Sequence, residues 1–290
     1  MSETSSSVSE DTRSAVIAVL RFSGNFRFYH TNQQQLAVRR SVSRVETGTT
    51  GLKSQSRVCL YMTEDTLAAL LEGNHDHVES RPRGFFDDVQ EGQSPAVVSI
   101  CCSDSRVSQE GMFSVEDPGW LFTPSNIGNQ AWDDADGERV VNGNLLYPVE
   151  YTGTKTIVVV GHTGCGAVTA AYQSATGDGG GHPDGIQKWV ETLEPVVAEG
   201  LDEIDTDTDE ATVVNRLVEY NVDRQVAFLR GSDDIPDDVS VYGFVYDLHG
   251  AYGGSRGRTY FVNDDGETDP DAIRAGIADE YDEYATRLTE

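Results

Sequence analysis

"KTIVVVGHTGCGAV", Lys155 to Val168, decides how the chain is read. Its first half is an apolar, β-branched run of the kind found in a strand buried on both faces. It then turns on Gly161, Gly164 and Gly166 into a helical pattern, and glycine permits the tight backbone that such a turn needs. Working outward, "PAVVSIC" (Pro95 to Cys101) and "VSVYGFVYDL" (Val239 to Leu248) read as further strands, and "LFTPSNIGNQ" as a strand and turn. Helical spacing marks "TEDTLAALLEGN" behind a cap-like Thr63, a short piece around Phe85 to Val89, "IQKWVETLEPVV" and "ATVVNRLVEYNVDRQVAFL". "TGDGGGHPDG" and "GLDEIDTDTDE" read as surface loops. Strands alternating with helices predict an α/β fold, a mostly parallel central β-sheet flanked by helices.

Charge divides the chain in two. The net −28 comes from 49 acidic and 21 basic residues, and only Lys53, Lys155 and Lys188 are lysines. Residues 1–61 hold 4 acids and 8 bases; residues 62–290 hold the other 45 acids and 13 bases. The first segment is rich in Ser, Thr and Gln without sustained periodicity, and such segments cannot repay their ordering entropy. It is expected to be a disordered or mis-annotated extension, with Met62 as the alternative start; a basic arm docking on the acidic body is the competing reading. Residues 62–290 are expected to form a single α/β domain. The acidic field repels nucleic acid and anionic membranes, and no apolar run reaches the length of a membrane span. Four cysteines, Cys59, Cys101, Cys102 and Cys165, are too few and scattered for a disulfide scaffold. A cytoplasmic protein with neither nucleic acid nor membrane as partner is the expectation.

Two short motifs carry chemistry. "ICCSDSRV" (Ile100 to Val107) ends one strand and places Cys102, Asp104 and Arg106 at two-residue intervals; the opening stretch ends another with His162 and Cys165 three apart. In an open parallel sheet, chemistry collects at the carboxyl ends of strands. Cys102, His162 and Cys165 can therefore converge. Two thiolates and an imidazole form a soft, tetrahedral-type zinc set with a fourth position for water or a carboxylate. A helix amino terminus at Cys165 would favour its thiolate. Alone, each element has a blander explanation: adjacent cysteines as small core side chains, Asp104 and Arg106 as an ordinary ion pair. Their conjunction in a chain nearly free of other cysteines is much more specific.

Cys102-Ser-Asp104-Ser-Arg106 together with His162-Thr-Gly-Cys165 resembles the zinc signature of the β-class carbonic anhydrases. The resemblance runs from about Leu70 to about Asp247, with "LLEGN", "GQSP", "NIGN", "VEY", "NVDRQV" and "VYGFVYD" in support. It implies a β-carbonic anhydrase-like fold with an N-terminal helical arm, Zn2+ held by Cys102, His162 and Cys165, and Cys101 as a structural neighbour. It implies reversible hydration of carbon dioxide to bicarbonate and a proton by zinc-hydroxide attack, with Asp104 and Arg106 orienting the nucleophile. Asp104 held by Arg106 stays ionised and can accept that hydrogen bond; released, it could close the zinc site. The family shows both arrangements, which points to an acid-closed, base-open switch. Related carbon disulfide or carbonyl sulfide hydrolases, and a non-catalytic zinc-stabilised sensor closed by Asp104, are the alternatives.

Gln93 matches a glutamine that plant-type members place near substrate, often across the dimer interface, although a turn residue before a strand is the competing reading. The bicarbonate-inhibited subclass carries a tryptophan and an arginine where this chain has Ser99 and Ser125, so the haloarchaeal-type, plant-like subclass is expected. A homodimer or dimer of dimers is implied. The segment between Glu150 and His162 is shorter than the family's usual helix there, and "TGT" (Thr152 to Thr154) suggests that the helix is nearly lost. His75, His77, His182 and His249 receive no role. "WDDADGE" lacks the spacing of a calcium loop and reads as solvated surface. Self-repulsion among so many carboxylates calls for salt. Dialysis into dilute buffer is expected to unfold the protein reversibly by circular dichroism, and structure retained there would contradict a halophilic design.

Overall fold

The structure, a computed structural model, describes residues 63–289. The expectation for residues 1–61 falls outside them. The chain divides between Ala69 and Leu70 into two units, and nearly all that is described belongs to the second.

Helix α1 (Thr63–Ser80) continues the "TEDTLAALLEGN" pattern further than expected. One 3₁₀ turn, Asp87–Val89, stands where a second short helix was expected. Strand β1 (Val97–Cys102) follows, then the short α2 (Gln109–Met112), whose cap Ser108 accepts from Gly111 N. The two-residue strands β2 (Leu121–Phe122) and β3 (Ser125–Asn126) come next. The acidic "WDDADGE" forms a hairpin of β4 (Trp132–Ala135) and β5 (Glu138–Val141). Its turn holds Asp136 and Gly137 at positive φ, the geometry that matches strand twist. Helix α3 (Gly143–Thr152) leads into β6 (Thr156–His162) and then α4 (Gly166–Thr176). The long helices α5 (Asp184–Glu203) and α6 (Glu210–Arg230) fit their sequence patterns, with α5 extending into the segment read as an acidic loop. Strands β7 (Ser240–Asp247) and β8 (Arg258–Asp264), helix α7 (Pro270–Gly276) and a 3₁₀ turn over Asp279–Tyr284 complete the set.

The sheet order is β2–β1–β6–β7–β8, with β3 also on β1. Every pairing is parallel except β8 on β7. Side chains alternate between its faces. Val98, Ile100, Cys102, Ile157, Val159, Val241 and Val245 join the main core with valines of α6. Cys101, Val158 and Val160 pack on the opposite face with half-buried aromatics of β7. Adjacent cysteines therefore serve different layers, as the period of two requires.

The helix before β6 is not lost. It lies earlier in the chain than the segment considered, and ends where Gly153 takes a left-handed conformation and donates to Pro148 O. Asn142 caps its start through Asn144 N. Pro148 sits inside it, which a simple breaker rule disfavours.

Helix α6 approaches the sheet over two glycines. A Cβ on Gly161 would lie 2.9 Å from Val218 and Val222 methyl carbons, and one on Gly243 would lie 2.7 Å from Val222. These valines are stiff. Gly161→Ala is expected to cost about 1–3 kcal/mol through overpacking, read as a lower denaturant midpoint; an unchanged midpoint would show that the layer yields.

Candidate metal centre

Strands β1 and β6 run side by side in parallel, with Cys101 opposite Val160, so their carboxyl ends open together. Cys102 closes β1, His162 closes β6, and Cys165 is the N-cap residue of α4. Their ligand atoms lie within 4.8 Å of one another, and all three side chains are buried. No other group of three or more His, Cys, Asp and Glu side chains among the described residues is placed to share an ion. The structure brings together the three residues that the sequence reading grouped.

Chemistry tests the fit to a metal. His162 Nδ1 lies 3.1 Å from Thr163 O, an acceptor only, so that nitrogen carries the hydrogen. Nε2 is then a lone-pair donor, and it is fully buried without a hydrogen-bond partner. An orphaned polar atom in a dry site is costly. Two sulfurs beside an imidazole lone pair are what a soft divalent ion requires. The residues fit zinc.

The sulfurs lie 3.7 Å apart, Cys165 donating to Cys102. That hydrogen bond brings the Cys102 thiol down to about 5 against the effect of burial. Cys165 is pushed well up by the same hydrogen bond and by burial, although Val168 and Ala167 N–H groups at the start of α4 favour its thiolate. The helix terminus alone suggested a thiolate at Cys165; the hydrogen bond between the two sulfurs works against it. Burial and the neighbouring Cys102 raise Cys101 to about 12, which keeps that thiol inert.

Asp104 stands at the edge of this set, its Oδ2 3.7 Å from His162 Nε2. Arg106 donates to it through Nε (2.9 Å), Nη2 (2.7 Å) and its own backbone N (2.9 Å). These bonds hold the Asp104 carboxyl well below the usual range. Gln93 remains exposed on the approach to β1, with no hydrogen-bond partner among the described residues.

Sequence reasoning missed the groups that fix the turn between the two β6-side ligands. Thr163 N donates to Tyr246 O (3.0 Å), and Gly164 N donates to Asn215 Oδ1 on α6 (2.8 Å). Thr163 Oγ1 donates to Asp247 Oδ1 (3.2 Å), accepts from Leu248 N (2.9 Å), and lies 2.9 Å from His249 Nδ1. Burial would raise Asp247, but N–H groups of Tyr252, Ala251, His249 and Gly250 outweigh it and hold the carboxyl down. Gly164 has positive φ, and a Cβ there would meet the His249 ring at 2.6 Å. An aspartate ending a strand before glycine is a turn signal; nothing in the sequence tied it to His162.

Comparison with known proteins agrees with this geometry. The family model described as carbonic anhydrase matches residues 97–252, more than half of the chain. A carbonic anhydrase of Emericella nidulans is 34% identical over 163 residues, 55% of this chain and 67% of that protein. One from Pseudomonas aeruginosa is 29% identical over 189 residues, 63% of this chain and 83% of that protein. Tetrameric β-carbonic anhydrases of Sordaria macrospora share the fold at a TM-score of 0.57 and 24% identity, over 68% of this chain and 97% of theirs. The chain belongs to the carbonic anhydrase family, in its β class.

Proposed function

We propose that this chain catalyses the reversible hydration of carbon dioxide to bicarbonate and a proton, with Cys102, His162 and Cys165 holding zinc. The observation that carries the reading is the buried, unpartnered Nε2 of His162 beside two cysteine sulfurs. Zinc bound there supplies Lewis acidity, which makes water nucleophilic near neutral pH. The chain's own residues do the rest. Asp104, gripped from three directions by Arg106, stays ionised and acceptor-only. It takes the hydrogen bond of the attacking water and turns the water's lone pair toward the substrate carbon. An Asp104 so engaged favours catalysis over a sensor that its carboxylate keeps closed.

The plant-like subclass is supported by Ser99 and Ser125, the latter bonded by Gln109 Nε2 rather than replaced by arginine. A homodimer or dimer of dimers is supported by bare apolar side chains: Leu70 and Leu71 are 67% and 64% exposed, and Tyr151 is 78% exposed. The tetrameric assembly of the Sordaria proteins agrees with such an association. Gln93 then reaches substrate in a neighbouring copy, its exposed position here being compatible with that role.

Stopped-flow hydration assays in molar salt test the activity. Asp104→Ala is expected to lower kcat by about 10²-fold or more while one zinc per chain is retained. Near-parent turnover would remove the aspartate from the mechanism. Sedimentation should show an oligomer that Leu70→Glu with Leu71→Glu reduces in size; a monomeric parent would contradict the assembly.

A further inference from the structure

A carboxylate that the proposed reaction does not use lies on α6. Glu219 is fully buried. It accepts from Tyr252 Oη (2.7 Å), Leu288 N (2.9 Å), Thr289 N (3.0 Å) and Thr289 Oγ1. Arg287 Nη2 lies 3.3 Å away. One dry carboxylate thus joins two segments far apart in sequence: the loop after β7, through Tyr252, and the strap 287–289. The strap has further anchors. Arg287 pairs with Asp223 at 2.6 Å, and Arg216 Nε donates to Leu288 O (3.3 Å).

From Tyr252 a short series of bonds reaches the metal-binding turn. Tyr252 N donates to Asp247 Oδ2 (3.1 Å), and Asp247 Oδ1 receives Thr163 Oγ1, the side chain between His162 and Cys165. The same helix holds that turn again through Asn215, one turn before Glu219. We propose that Glu219 is a positioning residue for the metal-binding turn, and that the strap is the latch completing its shell. The inference rests on the zinc reading above.

The physical argument is one of satisfaction. With the strap docked, both carboxylate oxygens are filled, and a buried charge with its partners in place tolerates a dry site. With the strap lifted, Tyr252 is the one donor left among these contacts. A buried carboxylate so depleted must draw in water or move toward other donors, and its hold on Tyr252 changes. Asp247 then loses the register of its loop, and the His162–Cys165 turn loosens. Supporting groups behind metal ligands commonly govern how firmly the ion is held.

The test is zinc release from the full-length holoprotein in molar salt, at fixed temperature, into excess chromogenic chelator. Glu219→Gln and Arg287→Met are each expected to release zinc about tenfold faster or more. Tyr252→Phe removes one oxygen and is expected to do so more mildly; it carries the test if Glu219→Gln does not fold. The double variant should release no faster than the faster single, because both act through one carboxylate. Leu229→Ala, a core change about three turns away on α6, should lower the melting temperature yet keep the parent release rate. Release within about twofold of parent in Arg287→Met and Tyr252→Phe, or additive effects in the double, would overturn the latch. So would equally fast release from Leu229→Ala, which would mark general loosening. A parent chain that takes up no zinc would sink both the zinc reading and the latch; zinc held with unmoved release in the variants would sink the latch alone.

Discussion

A buried imidazole nitrogen with no partner, set beside two sulfurs, is the constraint around which this protein is built. Leaving such an atom unsatisfied is unfavourable, and two buried sulfurs, 3.7 Å from each other, crowd beside it. A divalent cation resolves both at once. Much of the fold can be read as the means of keeping the three side chains there without one. Parallel pairing of β1 and β6 sets two strand ends side by side. Glycines at 161 and 243 let α6 come close enough for Asn215 to hold Gly164. Asp247 gathers backbone donors from its own loop and the hydroxyl of Thr163.

The distribution of cations follows the same logic. The body has 13 basic residues against 45 acidic ones, so most of its carboxylates have no cation to pair with. Arg106 is committed to Asp104 at the edge of the metal set, and Arg287 to Asp223 and Glu219 behind it. Each neutralises a carboxylate whose position matters; other arginines pair with acids at the surface, Arg224 with Glu199 of α5 and Arg274 with Asp271 of α7. Screening by salt weakens surface repulsion more than it weakens the buried Arg287 pairs. Ionic strength and site geometry are thereby partly separated.

Legibility in the sequence followed burial. β6 is buried from Ile157 onward, so the run Ile157 to Val160 had to be apolar and the strand announced itself. The long amphipathic α5 and α6 did the same through their spacing. β8, "RTYFVND", sits at a sheet edge with polar ends, and an edge strand places weaker demands on composition. The β4–β5 hairpin hid behind exposed acids, although "DG" at its turn was a usable signal. Helix α3 hid behind Pro148. At the site, the three sulfur and nitrogen ligands were legible because few residue types can do their work. Asn215, Asp247, His249 and Glu219 were not, because common polar residues acquire those roles only when distant segments meet.

X-ray absorption at the zinc edge, recorded on the purified protein, tests the central claim most directly. The account predicts about one zinc per chain in a four-coordinate shell containing two sulfurs and one imidazole nitrogen, with a sulfur lost in Cys102→Ser and in Cys165→Ser. A protein that hydrates carbon dioxide without zinc, or whose zinc shell holds no sulfur, would contradict it.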